Sequence, residues 1–447
     1  MISYNTIKAI TAISIAFCAH NAQSQIVYSS QELSSTNPTN FDRFGAAVDI
    51  GEGLVIVGAR LDDTASTNGG LAYVFNANTG AFIRQLEGSN ITPGDEFGAS
   101  VAIHGNIILV GAQYHNFGPT NSGAAYFFNA STGAQTRFVG PSDAANNDWF
   151  GESVAINSVI SLVSAPNTSN NDGTRGAVFA FLNSTMKQLV KITPPVNRGN
   201  VRFGSSLAMN EIFFVVGAPG DSSPTTPFPG EAYIYSVATG LPTELLIADT
   251  PDPASQFGWD VDIDGNIVVI GAKSDDAFGD AAGAVYVFDA TNGNQLMRLG
   301  SPNPEIEGNF GSSVAIGNGV IVVGADRESG VDYGSGAVYI FDSSTYELIT
   351  SVLPDELERN SKFGGVIAIK DGTIVASAEH LFASVPNSGK AYLLNPYCRP
   401  DLNQDGSLNF LDVSAFLDTQ LDWNDDGSFN FLDISGFLAS YSDACSR

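Results

Sequence analysis

Basic residues, histidine and cysteine are all scarce in this chain. Across 447 residues there are 19 Lys and Arg against 47 Asp and Glu, a net charge of −28. A nucleic-acid binder needs clustered cations to displace phosphate counterions, and docking on an anionic membrane needs them too. The balance excludes the first and disfavours the second. Only 4 His and 3 Cys are available for acid–base, nucleophilic or metal chemistry. There is no zinc spacing and no phosphate-binding loop, and Ser is scattered without a nucleophile elbow, so the chain is not expected to be an enzyme. Long apolar runs are missing as well. The stretch Ala9–Ala19 is too short to span a membrane. With Lys8 before it and Ala22-Gln23-Ser24 after it, residues 1–24 read as a secretory signal, which predicts a secreted or cell-surface bacterial protein. Phe17 is bulky where a lipoprotein signal takes a small residue, which argues against lipidation at Cys18.

Apolar and turn-forming residues are abundant. Hydrophobic residues make up 43%, with 29 Phe and 14 Tyr, and 47 Gly with 20 Pro fit many tight turns. They are arranged in a repeat. Phe-Gly occurs at Phe44, Phe97, Phe150, Phe203, Phe257, Phe310 and Phe363, spaced 53, 53, 53, 54, 53 and 53 residues apart. Fourteen residues after each Phe stands Gly-Ala or Ser-Ala, at Gly58, Gly111, Ser164, Gly217, Gly271, Gly324 and Ser377. A further Gly, from Gly70 in the first copy to Gly389 in the seventh, opens an aromatic run such as AYVF.

Each copy reads as four antiparallel strands. Apolar pairs such as Val48 with Ile50, or Val261 with Ile263, have the period of two that marks an inner strand. Turns such as Asp264-Gly265-Asn266 lead into a near-continuous apolar second strand, IVVIGA. The aromatic run is the third strand, and a weaker fourth follows. An apolar residue of that fourth strand precedes every Phe, from Leu33 to Val352. The first of these lies before the first repeat, and the seventh repeat ends without one. Segment 26–33 is therefore expected to supply the outer strand of the last sheet. A ring closed in this way protects its edges, whereas an open solenoid would need polar caps that the sequence does not show. The predicted fold class is all-β, a seven-bladed β-propeller over residues 25–396.

The anchors, for instance Phe203-Gly204 with Gly217-Ala218-Pro219, resemble the FG-GAP repeat family, best known from the propeller of integrin α chains. Repeats of the integrin type often carry a D-x-D-x-D-G calcium loop between the first two strands. Here that place holds short turns such as Gly51-Glu52-Gly53, and Asp260, Asp262 and Asp264 alternate along a strand. The resemblance therefore does not bring calcium to the propeller.

The first-to-second and third-to-fourth connections are tight and share one face of the ring. The second-to-third connections, such as 60–69, and the links between blades are long and share the other, where binding of a protein or glycan ligand is expected. The candidate ligand contacts in these loops are Tyr114, His115, Phe117, Phe278, Tyr333 and His380, with Asn116, Phe228 and Phe382 nearby. They either meet a ligand or pack beneath their own loops. The pairs Asp62-Asp63 and Asp275-Asp276 either hold a cation or a partner's basic groups, or are solvated turn formers.

From Asp401 the texture changes. DLNQDGSLNFLD at 401–412 recurs 21 residues later as DWNDDGSFNFLD at 422–433. Oxygen-bearing side chains with a central Gly have the spacing by which a loop wraps Ca²⁺. The candidate ligands of two Ca²⁺ ions are Asp401, Asn403, Asp405, Ser407 and Asp412, then Asp422, Asn424, Asp426, Ser428 and Asp433. Asp in the twelfth place has a shorter arm than Glu, which predicts modest affinity. In an oxidising compartment Cys398 and Cys445 either form one disulfide across this module or remain free thiols. Paired loops of this kind, each followed by an apolar helix, resemble dockerin domains, and the bracketing cysteines are similar to modules that end exported bacterial proteins. Those end in Gly-Cys, whereas this chain ends Ala444-Cys445-Ser446-Arg447. Residues 398–447 are thus expected to form a small α-helical, dockerin-like calcium module. The resemblance implies a cohesin-like or envelope partner contacted by Phe410, Leu411, Phe431 and Leu432, which serve equally well as core. Taken together, the sequence predicts an exported binding or adhesion protein. The competing readings are an extracellular polysaccharide hydrolase or accessory subunit, and a structural envelope protein.

Overall fold

The structure, a computed structural model, describes residues 26–171, 173–196, 201–220, 228–354, 357–381 and 385–398. They form seven four-stranded antiparallel sheets arranged as the blades of a propeller, and no helix occurs among the described residues. In the first blade Phe44–Gly51 is innermost, followed outward by Leu54–Ala59, Leu71–Asn76 and Phe82–Leu86. Blades two to six repeat that order. In the seventh, Ile367–Lys370, Thr373–Ala378 and Lys390–Cys398 take the first three places, and Ile26–Leu33 takes the outer one. The third strand of this blade runs to Cys398. The leader segment 1–24, the paired calcium loops and Cys445 lie outside the described residues.

The apolar core sits between blades. Second and third strands are buried on both faces, so each blade contributes one set of side chains to each neighbour. Ile56 and Val74 of the first blade pack with Val101, Ile108 and Val110 of the second. Val375 and Leu393 of the seventh pack with Val48 and Val57 of the first, which closes the ring.

The recurring dipeptides are the joints of this packing. Phe-Gly forms the two central residues of a turn in which the next amide donates back to the residue before Phe: Ala46 to Arg43 at 3.0 Å, Ser312 to Asn309 at 2.9 Å. The glycine has a φ of 93° at Gly45 and 88° at Gly311, as the third position of a type II turn requires. The Phe ring turns inward against the aromatic third strand, so Phe97 lies 5.2 Å from Tyr126 and 5.9 Å from Phe128, edge to face. Its amide donates to the preceding blade, Phe97 to the Gly69 carbonyl at 2.8 Å and Phe44 to that of Ser388 at 2.9 Å. The second glycine allows two backbones to touch: a Cβ at Gly324 would stand 1.9 Å from the Gly364 carbonyl oxygen.

Candidate functional site

The long connections surround a funnel of about 450 Å³ at the mouth of the central channel. Its walls come from positions that flank the joints. The residue before each Phe-Gly is Arg43, Glu96, Trp149, Arg202, Gln256, Asn309 or Lys362, and all seven have left-handed backbones with φ between 51° and 60°. The residue after each Gly-Ala or Ser-Ala is Arg60, Gln113, Lys273, Asp326 or Glu379 in five blades, and Pro166 or Pro219 in the other two. Where the motif has proline, most blades of this chain have a long polar side chain instead. Most of these residues, with Tyr114, Glu152, Trp259 and Arg327, line the funnel.

The funnel differs chemically from the rest of the molecule. Five cations (Arg60, Arg202, Lys273, Arg327 and Lys362) face three carboxylates (Glu152, Asp326 and Glu379), whereas acids outnumber bases 47 to 19 over the chain. Two of the chain's three Trp, Trp149 and Trp259, are here. Trp149 meets Tyr114 edge to face at 6.0 Å.

Several groups neutralise one another. Arg60 bonds Glu96 at 3.2 Å, Arg202 bonds Glu152 at 3.0 Å, and His380 bonds Glu379 at 3.1 Å. Asn309 donates to Asp326 at 2.9 Å. Burial raises Glu152 above the ordinary carboxylate range, opposed by Arg202. Glu379, in spite of burial that would raise it, is held low by its bond to His380 and by Arg60 and Arg43. Lys273 is half-buried, its Nζ 2.9 Å from the centre of the Trp259 ring. Burial pushes this ammonium down to about 7; the nearby Asp326 opposes the shift, and Arg327, Lys362 and Arg202 add to it.

The residues singled out in the sequence divide between this site and its surroundings. Tyr114 lines the funnel. His115 lies beneath the face and not on it: 5% exposed, its Nδ1 is 2.8 Å from the Asp95 carboxylate and its ring packs on Phe138 and Tyr126. Phe117 packs on Phe138 at 5.1 Å, and Phe228 packs against the core between blades three and four. Phe278 and Tyr333 stand on the exposed outer rim, 39% and 62% accessible, beneath the guanidinium groups of Arg298 and Arg359. His380 reaches the funnel only through Glu379. Phe382 lies outside the described residues.

The acidic pairs are divided, the first Asp of each buried and the second exposed in its turn. Asp62 and Asp275 are buried and accept the hydroxyls of Tyr73 and Tyr286 at 2.6 and 2.7 Å, while Asp63 and Asp276 accept loop amides. Glu328 takes the same place in the sixth blade under Tyr339. These carboxylates fasten the long loops to the third strands.

Beyond the funnel the innermost strands line a second cavity of about 540 Å³. Asp49, Asp260 and Asp262 face it, each accepting an amide of the next blade: Ile103, Val314 and Ile316 at 2.7, 2.8 and 2.7 Å. Their alternation along a strand thus makes inter-blade bridges. Among the described residues no group of three or more His, Cys, Asp or Glu is placed to hold a metal ion.

Apart from Tyr114, the funnel residues escaped sequence reading because the side chains at these positions vary from blade to blade. The usable signal was positional, in the variable residues that flank invariant anchors. The FG-GAP repeat family matches this chain at residues 29–75, 83–128, 135–181, 244–288 and 299–341, together just over half of its length. No curated protein matches it. The matches cover five of the seven repeats, the blades at Phe203 and Phe363 carry the same anchors, and the chain belongs to the FG-GAP repeat family.

Proposed function

We propose that the protein is an exported bacterial binding or adhesion protein whose funnel on the long-loop face holds a protein or glycan ligand. The observation that carries this reading is the gathering of both propeller Trp and an excess of cations at one concave mouth of an otherwise acidic molecule. Such convergence on a rigid scaffold is the usual character of a ligand site. Binding without turnover is favoured because Glu152 and Glu379, the carboxylates best placed for acid–base work, are engaged by Arg202 and His380. Glycan and protein arrays probed with the full chain test this. Trp259→Ala and Lys362→Glu are expected to lower binding of any ligand found by about tenfold or more, a loss near 1.4 kcal/mol. The rim variants Phe278→Ala and Tyr333→Ala should bind as the parent does. Loss in the rim variants alone would move the site away from the funnel.

The paired loops at 401–412 and 422–433 are proposed to bind two Ca²⁺ ions, with the C-terminal module tethering the protein to an envelope or scaffold partner. Chelation is expected to abolish one calorimetric transition and to leave the propeller's own melting unchanged. An EDTA-treated sample with the same two transitions would refute calcium binding.

A further inference from the structure

Resting on the funnel as the ligand site, we propose that its ligand is an anionic oligosaccharide, a pyranose chain carrying carboxylate or sulfate groups. Two chemistries meet there. Flat aromatic walls, Trp149 against Tyr114 and Trp259 behind Lys273, suit the C–H faces of sugar rings. Beside them lies a region of positive charge that the protein leaves incompletely neutralised. On one side Arg60 and Arg202 are ion-paired to Glu96 and Glu152. On the other, among the described residues, neither Lys273 nor Lys362 hydrogen-bonds a carboxylate, although both line the same cavity. The electrostatic neighbours of Lys273 are one acid, Asp326, and three cations, Arg327, Lys362 and Arg202. Arg202 and Arg327 have partners of their own, Glu152 at 3.0 Å and Glu307 at 4.0 Å, and the charge left on Lys273 and Lys362 is stabilised by an anion placed beside them.

The shape favours a sugar over an acidic protein segment. Protein hot spots seat large apolar anchors in pockets, and the aliphatic lining of the funnel is limited to small groups such as Ala46, Ala99 and Val366. Its volume, about 450 Å³, lies in the range of small-molecule sites. A bound anion also favours the protonated form of Lys273, which burial depresses to about 7. Binding should therefore take up a proton near neutral pH and be tighter at pH 6 than at pH 8.

The test is calorimetric titration of the full chain with trigalacturonate, its methyl ester, sulfated galactotriose, galactotriose and a short poly-glutamate peptide. One or both charged sugars should bind, which of the two deciding between carboxylate and sulfate, with the ester and the neutral sugar weaker by about tenfold or more. Lys273→Gln and Lys362→Gln should each lower that affinity by about tenfold, and Lys273→Gln should also flatten its pH dependence. Equal binding of neutral and charged sugars, or binding of the peptide alone, would overturn the anionic-sugar assignment and leave the funnel as the site. If no sugar binds while Trp259→Ala still abolishes the array signal, the assignment fails and the site stands. If Trp259→Ala leaves the array signal intact, the site itself fails.

Discussion

Gly324→Ala is expected to destabilise the propeller by about 3 kcal/mol or more, among the largest effects of any single methyl group in this chain. The added Cβ would stand 1.9 Å from the Gly364 carbonyl oxygen, a backbone atom of the next blade that no rotamer change can move aside. The two blades must separate locally, and with them Val323 and Ile367, which are buried close to that joint. Gly53→Ala is the comparison. Gly53 also has a positive φ, 73°, but its turn is open, with no atom within 4 Å of the added group, so backbone strain alone applies, about 1 kcal/mol. Urea unfolding of the two variants separates close approach from backbone strain. Equal losses would show that the blades are not in backbone contact at this joint. The chain contains its own precedent for a Cβ at the joint. At Ser164 and Ser377 the hydroxyl takes the amide of Ser153 at 2.9 Å and of Val366 at 3.0 Å, so the joint is held differently where glycine is absent.

Stability should rise as the pH is lowered from 8 to about 5, the reverse of ordinary acid denaturation. Burial raises Asp49 and Asp260 to about 6 and Asp262 to about 7, against amide bonds that oppose the shift. In the unfolded chain these groups titrate near 3.8. Between those limits the folded state holds protons that the unfolded state has released, so folding is favoured as pH falls through the folded values and gains nothing more below about 4. Each unit of separation corresponds to about 1.4 kcal/mol, and water in the channel reduces the sum. About 3 kcal/mol between pH 8 and pH 5 is the expected scale. Glu379 works in the opposite sense, because it is held low by His380 and loses its contribution only as pH falls through its depressed value. Lys273, depressed to about 7, opposes the trend only between pH 8 and 7, and the optimum lies between about pH 4 and 5. Thermal melts of the parent and of a variant with Asn at positions 49, 260 and 262 check this. A parent that loses stability steadily from pH 8 to pH 5 would contradict it.

The architecture was legible because each joint is local chemistry repeated. A type II turn needs glycine after Phe44, and two touching backbones need glycine at Gly58, so the first constraint reappears at the same spacing in every blade and the second in all but the two that carry Ser164 and Ser377. The early apolar residue at Leu33 betrayed the outer strand of the seventh sheet for the same reason: the period continued one step before the first repeat.

Side-chain partners were not legible in that way. Asp62-Asp63 and Asp275-Asp276 have the composition of surface turns, yet the hydroxyls of Tyr73 and Tyr286 reach back from the third strand to bury the first of each pair. His115 looks like a loop residue free for a ligand, and Asp95, from the preceding link, draws it inside.

From sequence alone came the ring, its seven blades and the face on which its long loops gather, since hydrophobic period and glycine spacing are properties of neighbours along the chain. The funnel was decided only by the tertiary structure. Arg60, Lys273 and Glu379 hold the same place in their blades and Trp149 the place before Phe-Gly, yet no common residue type marks them, and closure of the ring brings them around one cavity. A site assembled with one or two side chains from each blade leaves no shared residue type at its positions, because its chemistry depends on distances through space that no stretch of sequence contains.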